Sequence, residues 1–93
     1  MVSDMLKITW VGWVCQGNSD KLWGVVQTGT NSYYNFWCRR GQAMSFKKTS
    51  SPSYSHKKNK GYNEITTEKL EEIYPGFMEE AQNRLVYRVL ADS

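Results

Sequence analysis

The first half of the chain is built from short runs of apolar and aromatic residues, separated by clusters of Gly, Asn, Ser and Asp. Runs rich in β-branched and aromatic residues are typical of strands. The pattern predicts four of them, over residues 6–14, 21–28, 33–40 and 43–49. Their connections are short, and parallel neighbours would need long crossovers. We therefore expect an antiparallel meander.

The period of two along a strand assigns side chains to the two faces of this sheet. On the third and fourth strands we expect four apolar side chains to point into the core. These are Phe36, Cys38, Met44 and Phe46. The same alternation leaves Trp37 and Arg39 on the far face of the sheet.

A helical pattern follows residue 63. Thr66 or Thr67 can cap the first helix, and Pro75 with Gly76 interrupts it. Apolar residues then repeat every four positions, as a helix packed on a sheet requires. They are Phe77, Ala81, Leu85 and Val89. The end, "RLVYRVL", could also form a strand, but we favour a helix.

These patterns predict one α+β domain over residues 1–93. Its fold class is an antiparallel meander sheet of about four strands, with one or two C-terminal helices packed on one face. The sheet would occupy residues 1–49 and the helical segment residues 64–93. Between them, residues 50–63 form a polar, lysine-rich loop. Such a loop is commonly a solvated connection, although loops also carry many binding residues.

The charge is unevenly distributed along the chain. Residues 1–62 hold nine Lys or Arg against two Asp, a net charge of +7, whereas residues 63–93 hold three against seven acidic residues, a net charge of −4. A basic region of this kind indicates an anionic partner. The alternative is that the two regions neutralise each other in the fold.

Several classes of function find no support in the sequence. No stretch approaches the roughly 18 apolar residues of a membrane span, so we predict no membrane association. The start of the chain lacks the features of a signal peptide, and we expect a cytoplasmic protein. No phosphate-binding glycine motif or zinc-ligand spacing occurs, so we predict no metal and no cofactor. Cys15 and Cys38 are expected to be separate thiols, and a catalytic Cys38–His56 pair is disfavoured, so we predict no enzyme.

What remains is a set of basic side chains interleaved with aromatic rings. Arginine and lysine contact phosphates, and aromatic rings stack on bases or sugars. Eight candidate binding residues follow from this: Trp37, Arg39, Arg40, Lys47, Lys48, Lys57, Lys58 and Lys60. We expect Arg39 or Arg40 to lie in one basic patch with the lysines.

The segment "DKLWGVVQTGTNSYYNFWCRRGQA" combines a polar turn with two aromatic strands, and "FKK" and "KKNKGY" follow it. In this combination the chain resembles the WGR domain, a small antiparallel sheet with a helix that is found in poly(ADP-ribose) polymerases and in stand-alone bacterial proteins. The matching positions, within about residues 10–62, are Asn18, Asp20, Lys21, Trp23, Tyr34, Trp37, Arg39 and Gly41. The later lysines resemble the lysine-rich segment of the family, which ends in Gly-Tyr.

The chain departs from the family pattern in three ways. Arg40 stands where the family has its naming tryptophan, and Gln42 stands where it has the final arginine. Arg40 can still stack as a planar cation. Gln42 can still form hydrogen bonds, so the resemblance implies Gln42 as a ninth candidate binding residue. The predicted helices also follow the Gly-Tyr, whereas the family usually places one before it.

The resemblance implies a non-enzymatic nucleic-acid-binding module, which contacts the DNA or RNA backbone and also neighbouring protein domains. The competing prediction is a protein–protein interaction module, such as a small regulatory or phage-type protein, that docks through its aromatic and basic surface. A third alternative is a structural domain whose lysines serve solubility. The sequence leaves the choice between DNA and RNA open.

Overall fold

A computed structural model describes residues 6–50 and 52–92. In chain order the elements are β1 (Lys7–Gln16), β2 (Ser19–Gly29), β3 (Ser32–Arg39), β4 (Ser45–Thr49), α1 (Ser55–Lys58), β5 (Asn63–Glu64), α2 (Thr67–Ile73) and α3 (Phe77–Asp92). The strands form a five-stranded sheet in the order β4-β3-β2-β1-β5. The predicted α+β fold, with an antiparallel meander and C-terminal helices, is confirmed.

The region predicted as a loop is more ordered than its polar composition indicated. It contains the single turn of α1 and leads into β5, which pairs antiparallel with Gly12 and Trp13 of β1. A strand of two residues carries no alternation that could reveal it. This short pairing brings the chain to the β1 edge of the sheet, where α2 begins.

The helices cover one face of the sheet and bury the main core against it. Phe36 is fully buried there, and its ring lies 5.0 Å from that of Phe77 on α3. The four residues predicted to point inward are all buried in this cluster: Phe36, Cys38, Met44 and Phe46. The predicted faces of β3 and β4 are therefore confirmed.

Gly24 of β2 provides the space that the Phe36 ring occupies. It lies opposite Phe36 in the β2–β3 register. A Cβ at this position would meet the Phe36 ring and would lie 2.7 Å from the carbonyl oxygen of Trp10. The central strand needs a glycine here because the ring and the neighbouring backbone already fill the position.

A β-bulge in β1 determines which face receives its first tryptophan. Ile8 pairs with Val26 and Trp10 pairs with Val25, so one extra residue, Thr9, lies between the two pairs. Without that extra residue Ile8 and Trp10 would share a face. With it, Ile8 packs on the main core, whereas Trp10 belongs to a second cluster on the far face.

The two C-terminal helices begin and end as the sequence predicts. Thr66 is the N-cap of α2, and its hydroxyl accepts a hydrogen bond of 3.1 Å from the amide of Lys69. The chain breaks at Pro75 and Gly76 before α3 begins, and the ambiguous segment 84–91 is helical. The carboxylate of Glu71 accepts a 2.8 Å hydrogen bond from the amide of Met78, which fixes the first turn of α3 to α2.

Helix α3 is also bonded to the outer edge of the sheet. The guanidinium group of Arg84 donates to the carbonyl oxygen of Met44, and that of Arg88 donates to the carbonyl oxygen of Phe46. Hydrogen bonds from charged donors are stronger than neutral ones. Together with the buried Leu85 between them, these contacts hold α3 beside β4.

The prediction that the start of the chain is not a signal peptide concerns, in part, residues 1–5, which lie outside the described residues. In the part of the chain that is described, no helix combines the length and apolar character needed to cross a membrane.

Candidate nucleic-acid interface

The far face of the sheet is crossed by residues 52–62, which we call the strap. The strap packs on the second aromatic cluster. The ring of Tyr54 stacks on that of Trp10 with a centroid separation of 5.0 Å and an interplanar angle of 4°. Trp10 in turn lies 6.1 Å from Trp23. The lysine-rich segment is thus docked on the sheet by its aromatic residues.

Gly12 allows the Trp10 ring to lie flat under the strap. A Cβ on Gly12 would meet the Trp10 indole and would lie 2.9 Å from the Cβ of Tyr62. Neither neighbour has room for a methyl group in that position. The strap and the sheet therefore approach each other more closely at Gly12 than any other residue would permit.

Lys57 of the strap lies over this aromatic cluster. Its ammonium nitrogen is 5.4 Å from the ring centroid of Trp23 and 5.4 Å from that of Tyr62, distances at which a cation is attracted to the π-face. Partial burial lowers the pKa of Lys57, and the positive charges of Lys60 and Lys21 lower it further. Lys60 and Lys21 are thus both close enough to Lys57 to repel its ammonium group.

Beside the strap, the far face opens into a groove, which we call the strap groove. Its first part has a volume of about 430 Å³ and is lined by Lys21, Leu22, Trp23, Trp37, Cys38, Arg39, Lys57 and Tyr62. The second part, of about 590 Å³, is lined by Val14, Gln16, Ser19, Lys21, Lys57, Lys60 and Tyr62. Lys21, Lys57 and Tyr62 border both parts, so the two cavities adjoin.

The register of the sheet explains why cations and rings meet here. Lys21 of β2 lies opposite Arg39 of β3, and Trp23 lies opposite Trp37. Directly opposed residues point to the same face, so each strand contributes one cation and one ring. The strap covers Trp23, which is 7% exposed, whereas Trp37 is 40% exposed. The open ring of the groove is therefore that of Trp37.

The strap groove carries uncompensated positive charge. No carboxylate is among the described residues that line either part. Within the described ranges, 6–50 and 52–92, the ion pairs involve other cations, namely Arg40, Lys69 and Arg84. Tyr62 also faces this charge: burial raises the pKa of its phenol, and nearby Arg39 opposes that rise. The groove is thus suited to an anion.

The structure brings together only part of the predicted binding set. Trp37, Arg39, Lys57 and Lys60 line the strap groove. Lys47 pairs with Asn35 and shares the far face, but it lies on the edge strand, away from both cavities. Lys58 extends over the ring of Tyr54, 5.6 Å from its centroid, on the outer side of the strap.

Of the cations expected for the basic patch, Arg39 lies in the strap groove with Lys57, whereas Arg40 and Lys48 lie outside it. Arg40 turns to the helix side of the sheet, where its guanidinium lies 3.5 Å from the carboxylate of Asp20. That carboxylate also accepts a 2.8 Å hydrogen bond from the Trp13 indole. Lys48 follows the buried Phe46 by two positions on β4, so alternation directs it to the helix side as well. Gln42 is exposed in the turn after β3.

One important cation of the groove is missing from the predicted set. Lys21 borders both cavities, yet it stands far from the lysine-rich segment in sequence. The period of two along β2 could have indicated it, because Lys21, Trp23 and Val25 fall on one face of the strand. Only the register of the β2–β3 hairpin, which places Lys21 beside Arg39, turns that alternation into a binding position.

The disfavoured Cys–His pair is not assembled. Cys38 is a buried free thiol in the core beneath the helices, whereas the His56 ring packs edge-on against Trp23 on the far face, 5.6 Å between centroids. Burial raises the pKa of Cys38 to about 11, and the charges of Glu80 and Asp20 add to that rise. No cluster of three or more His, Cys, Asp or Glu side chains suited to a metal occurs among the described residues.

The geometry defines a small α+β protein with a cationic, aromatic groove on the strap side of its sheet. In comparisons with protein-family models, curated proteins and solved structures, this chain matched none of them.

Proposed function

We propose that this protein is a non-enzymatic nucleic-acid-binding module that contacts the phosphate backbone through the strap groove. The observation that carries the proposal is the set of four groove cations, which no carboxylate in the described lining neutralises. They are Lys21, Arg39, Lys57 and Lys60. Clustered lysine and arginine beside exposed aromatic rings are the usual means of holding a nucleic-acid backbone.

The distribution of charge over the two sides of the sheet supports the same proposal. The helix side carries most of the acidic residues of the chain, on α2 and α3: Glu68, Glu71, Glu72, Glu79 and Glu80. The strap side carries the groove cations. Burial is the main cause of the lowered pKa of Lys57, and the positive charges of Lys60 and Lys21 add to it. A cluster of cations of this kind attracts a polyanion to this side of the molecule.

The resemblance to the WGR domain supports the proposal from the sequence. The strand that carries the resemblance, β3, supplies Trp37 and Arg39 to the groove. The "KKNKGY" segment supplies Lys57, Lys60 and Tyr62. Membership of that family is part of the proposal, as is a cytoplasmic location. The free thiols of Cys15 and Cys38 are in keeping with a reducing compartment.

The test is a binding titration against single-stranded DNA, duplex DNA and RNA at several salt concentrations. Each phosphate contact contributes a slope of about −0.7 to −0.9 to the dependence of log affinity on log salt. Four groove cations therefore predict a total slope of about −3. Weak binding whose affinity does not change with salt concentration would contradict the proposal and would favour a protein partner.

Matched variants locate the interface. Lys21→Ala and Arg39→Ala should each lower affinity for all sequences and make the slope shallower by about 1, because phosphate contacts carry no sequence information. Lys48→Ala removes the same charge from the opposite face of the sheet and should change the slope much less. Equal effects of the three substitutions would show that general charge, and not the strap groove, governs binding.

A protein-interaction module is the second candidate function, and one surface favours it. Tyr87 and Leu90 of α3 are 76% and 66% exposed. Large apolar side chains on a helix surface are common at protein contacts. Substituting Tyr87 should leave nucleic-acid binding unchanged under the main proposal, and loss of partner binding by that variant alone would favour this second function.

A further inference from the structure

Trp37 is the one tryptophan of the far face whose ring is substantially open. Trp10 and Trp23 belong to the same face but are buried under the strap. Within the described residues, no other ring and no cation packs on Trp37. A large aromatic side chain that is 40% exposed and lines a cavity offers an apolar surface that the fold itself does not use.

The surroundings of this ring indicate what it can accept. Arg39 and Lys57 line the same part of the groove, and Lys21 links that part to the second, where Lys60 lies. A ligand that fits both parts has a flat apolar group for the ring and an anionic group for the amines. A nucleotide unit has this composition, because its base is flat and its phosphate is negative.

We propose that the strap groove takes an unpaired nucleotide, with its base stacked on Trp37 and its phosphate among Lys21, Lys57 and Lys60. This inference rests on the proposed function and narrows it: the preferred ligand is single-stranded nucleic acid. A base inside a duplex has both faces covered by its neighbours, so an aromatic side chain can stack only on a base that has left the helix.

The concave shape of the site supports the same preference. Trp37 lies in a cavity of about 430 Å³, and the cations stand along the same walls. The backbone of a duplex can contact cations at the rim of such a groove, but its paired bases stay inside the helix, away from the ring. Two contributions to binding can therefore be told apart: the cations can contact the phosphates of any nucleic acid, whereas Trp37 can stack only on an unpaired base.

The experiment compares one sequence of about 12 nucleotides, a length within the usual range of single-strand sites, as a single strand and as a duplex. The wild-type protein should bind the single strand at least about ten-fold more tightly. Trp37→Ala should weaken single-strand binding by about 5- to 150-fold, the range expected for one stacked base, and should leave duplex binding unchanged. Trp37→Phe keeps a ring and should retain most of the affinity.

Two controls separate stacking from damage to the fold. Tyr87→Ala removes an exposed ring from α3, on the other side of the molecule, and should not affect binding. The single strand should also quench tryptophan fluorescence of the wild type, and this quenching should be largely lost in Trp37→Phe even at saturation. That spectroscopic result does not depend on how well Trp37→Ala folds.

The outcomes distinguish this inference from the proposed function. The inference would be overturned if the wild type bound single strand and duplex with equal affinity, or if Trp37→Ala lowered the two affinities equally. Backbone binding would still stand in either case. Persistence of the quenching in Trp37→Phe would overturn the inference as well, because another tryptophan would then be the one in contact. Absence of salt-dependent binding to either nucleic acid by the wild type would overturn both.

Discussion

The substitution Gly24→Ala should destabilise the protein because it adds a methyl group where two other groups already lie. The new Cβ would stand 2.7 Å from a ring carbon of Phe36 and 2.7 Å from the carbonyl oxygen of Trp10. The carbonyl belongs to the neighbouring strand, and the Phe36 ring is held by Phe77 and Phe46. Neither can move without disturbing the core or the sheet.

The size of the effect follows from two opposing terms. Forcing a methyl group into a packed core costs about 1–3 kcal/mol. Replacing a strand glycine by alanine gains about 0.5–1 kcal/mol from the unfolded chain. Because one of the clashing atoms is backbone, we expect the upper end of the cost and a net loss of about 2 kcal/mol. In a domain of this size that loss lowers Tm by about 8–16 °C.

A second substitution tests the cause. Phe36→Leu shortens the side chain that the new methyl group would meet, and should itself cost about 1 kcal/mol. In that background Gly24→Ala should cost at least about 1 kcal/mol less than in the wild type. Urea unfolding of the four proteins, followed by circular dichroism, measures each free energy of unfolding. Ser45→Ala, at an exposed position of β4, is the control for alanine in a strand.

The result that would refute this reasoning is additivity. If the two substitutions add to within about 0.3–0.5 kcal/mol, the Phe36 ring and the space over Gly24 are independent. The proposed reason for a glycine at the centre of the sheet would then be wrong.

Two further predictions concern the pH dependence of stability and the start of α2. Burial raises the pKa of Cys38 from 9.0 to about 11, and burial together with a hydrogen bond to Glu80 raises that of Tyr74 from 10.0 to about 12. Both groups stay protonated to a higher pH in the folded state than in the unfolded state. The free energy of unfolding, measured with urea, should therefore fall as pH rises above about 9, and Cys38→Ala should make the first part of that fall shallower. A free energy of unfolding that rises over this pH range would contradict both raised pKa values. Thr66→Ala should cost about 1 kcal/mol of stability because it removes the N-cap of α2. Thr67→Ala, one position inside the helix, should cost much less when both variants are compared by thermal melts. Equal losses would rule out a capping role for Thr66.

The sequence was sufficient for those features that depend on neighbouring residues. The period of two placed Phe36 inside and Trp37 outside, and the period of four identified the core side of α3. The cap at Thr66 could be narrowed to two candidates because N-caps are local. These elements are specified by side chains within a few positions of one another.

The strap groove could be predicted only in part because it depends on contacts between distant residues. Tyr54 and Trp10 stack although β2, β3 and β4 separate them in the sequence, and no period in a polar stretch reveals such a partner. The bulge at Thr9 changes the face of Trp10 through one extra residue. Lys21 becomes a groove residue only through its register with Arg39. Each of these depends on tertiary packing, which a sequence pattern does not display.

The two arginine contacts from α3 to β4 have a consequence for contacts between different copies of the chain. An edge strand with open carbonyl groups is a template on which a strand of another molecule can add. At Met44 and Phe46 those outward carbonyls are already bonded to Arg84 and Arg88. Helix α3 therefore blocks these carbonyl groups from pairing with a strand of another molecule. A chain cut before α3 would lose these hydrogen bonds as well as part of its core, and its β4 edge would be open to pairing with a strand of another molecule.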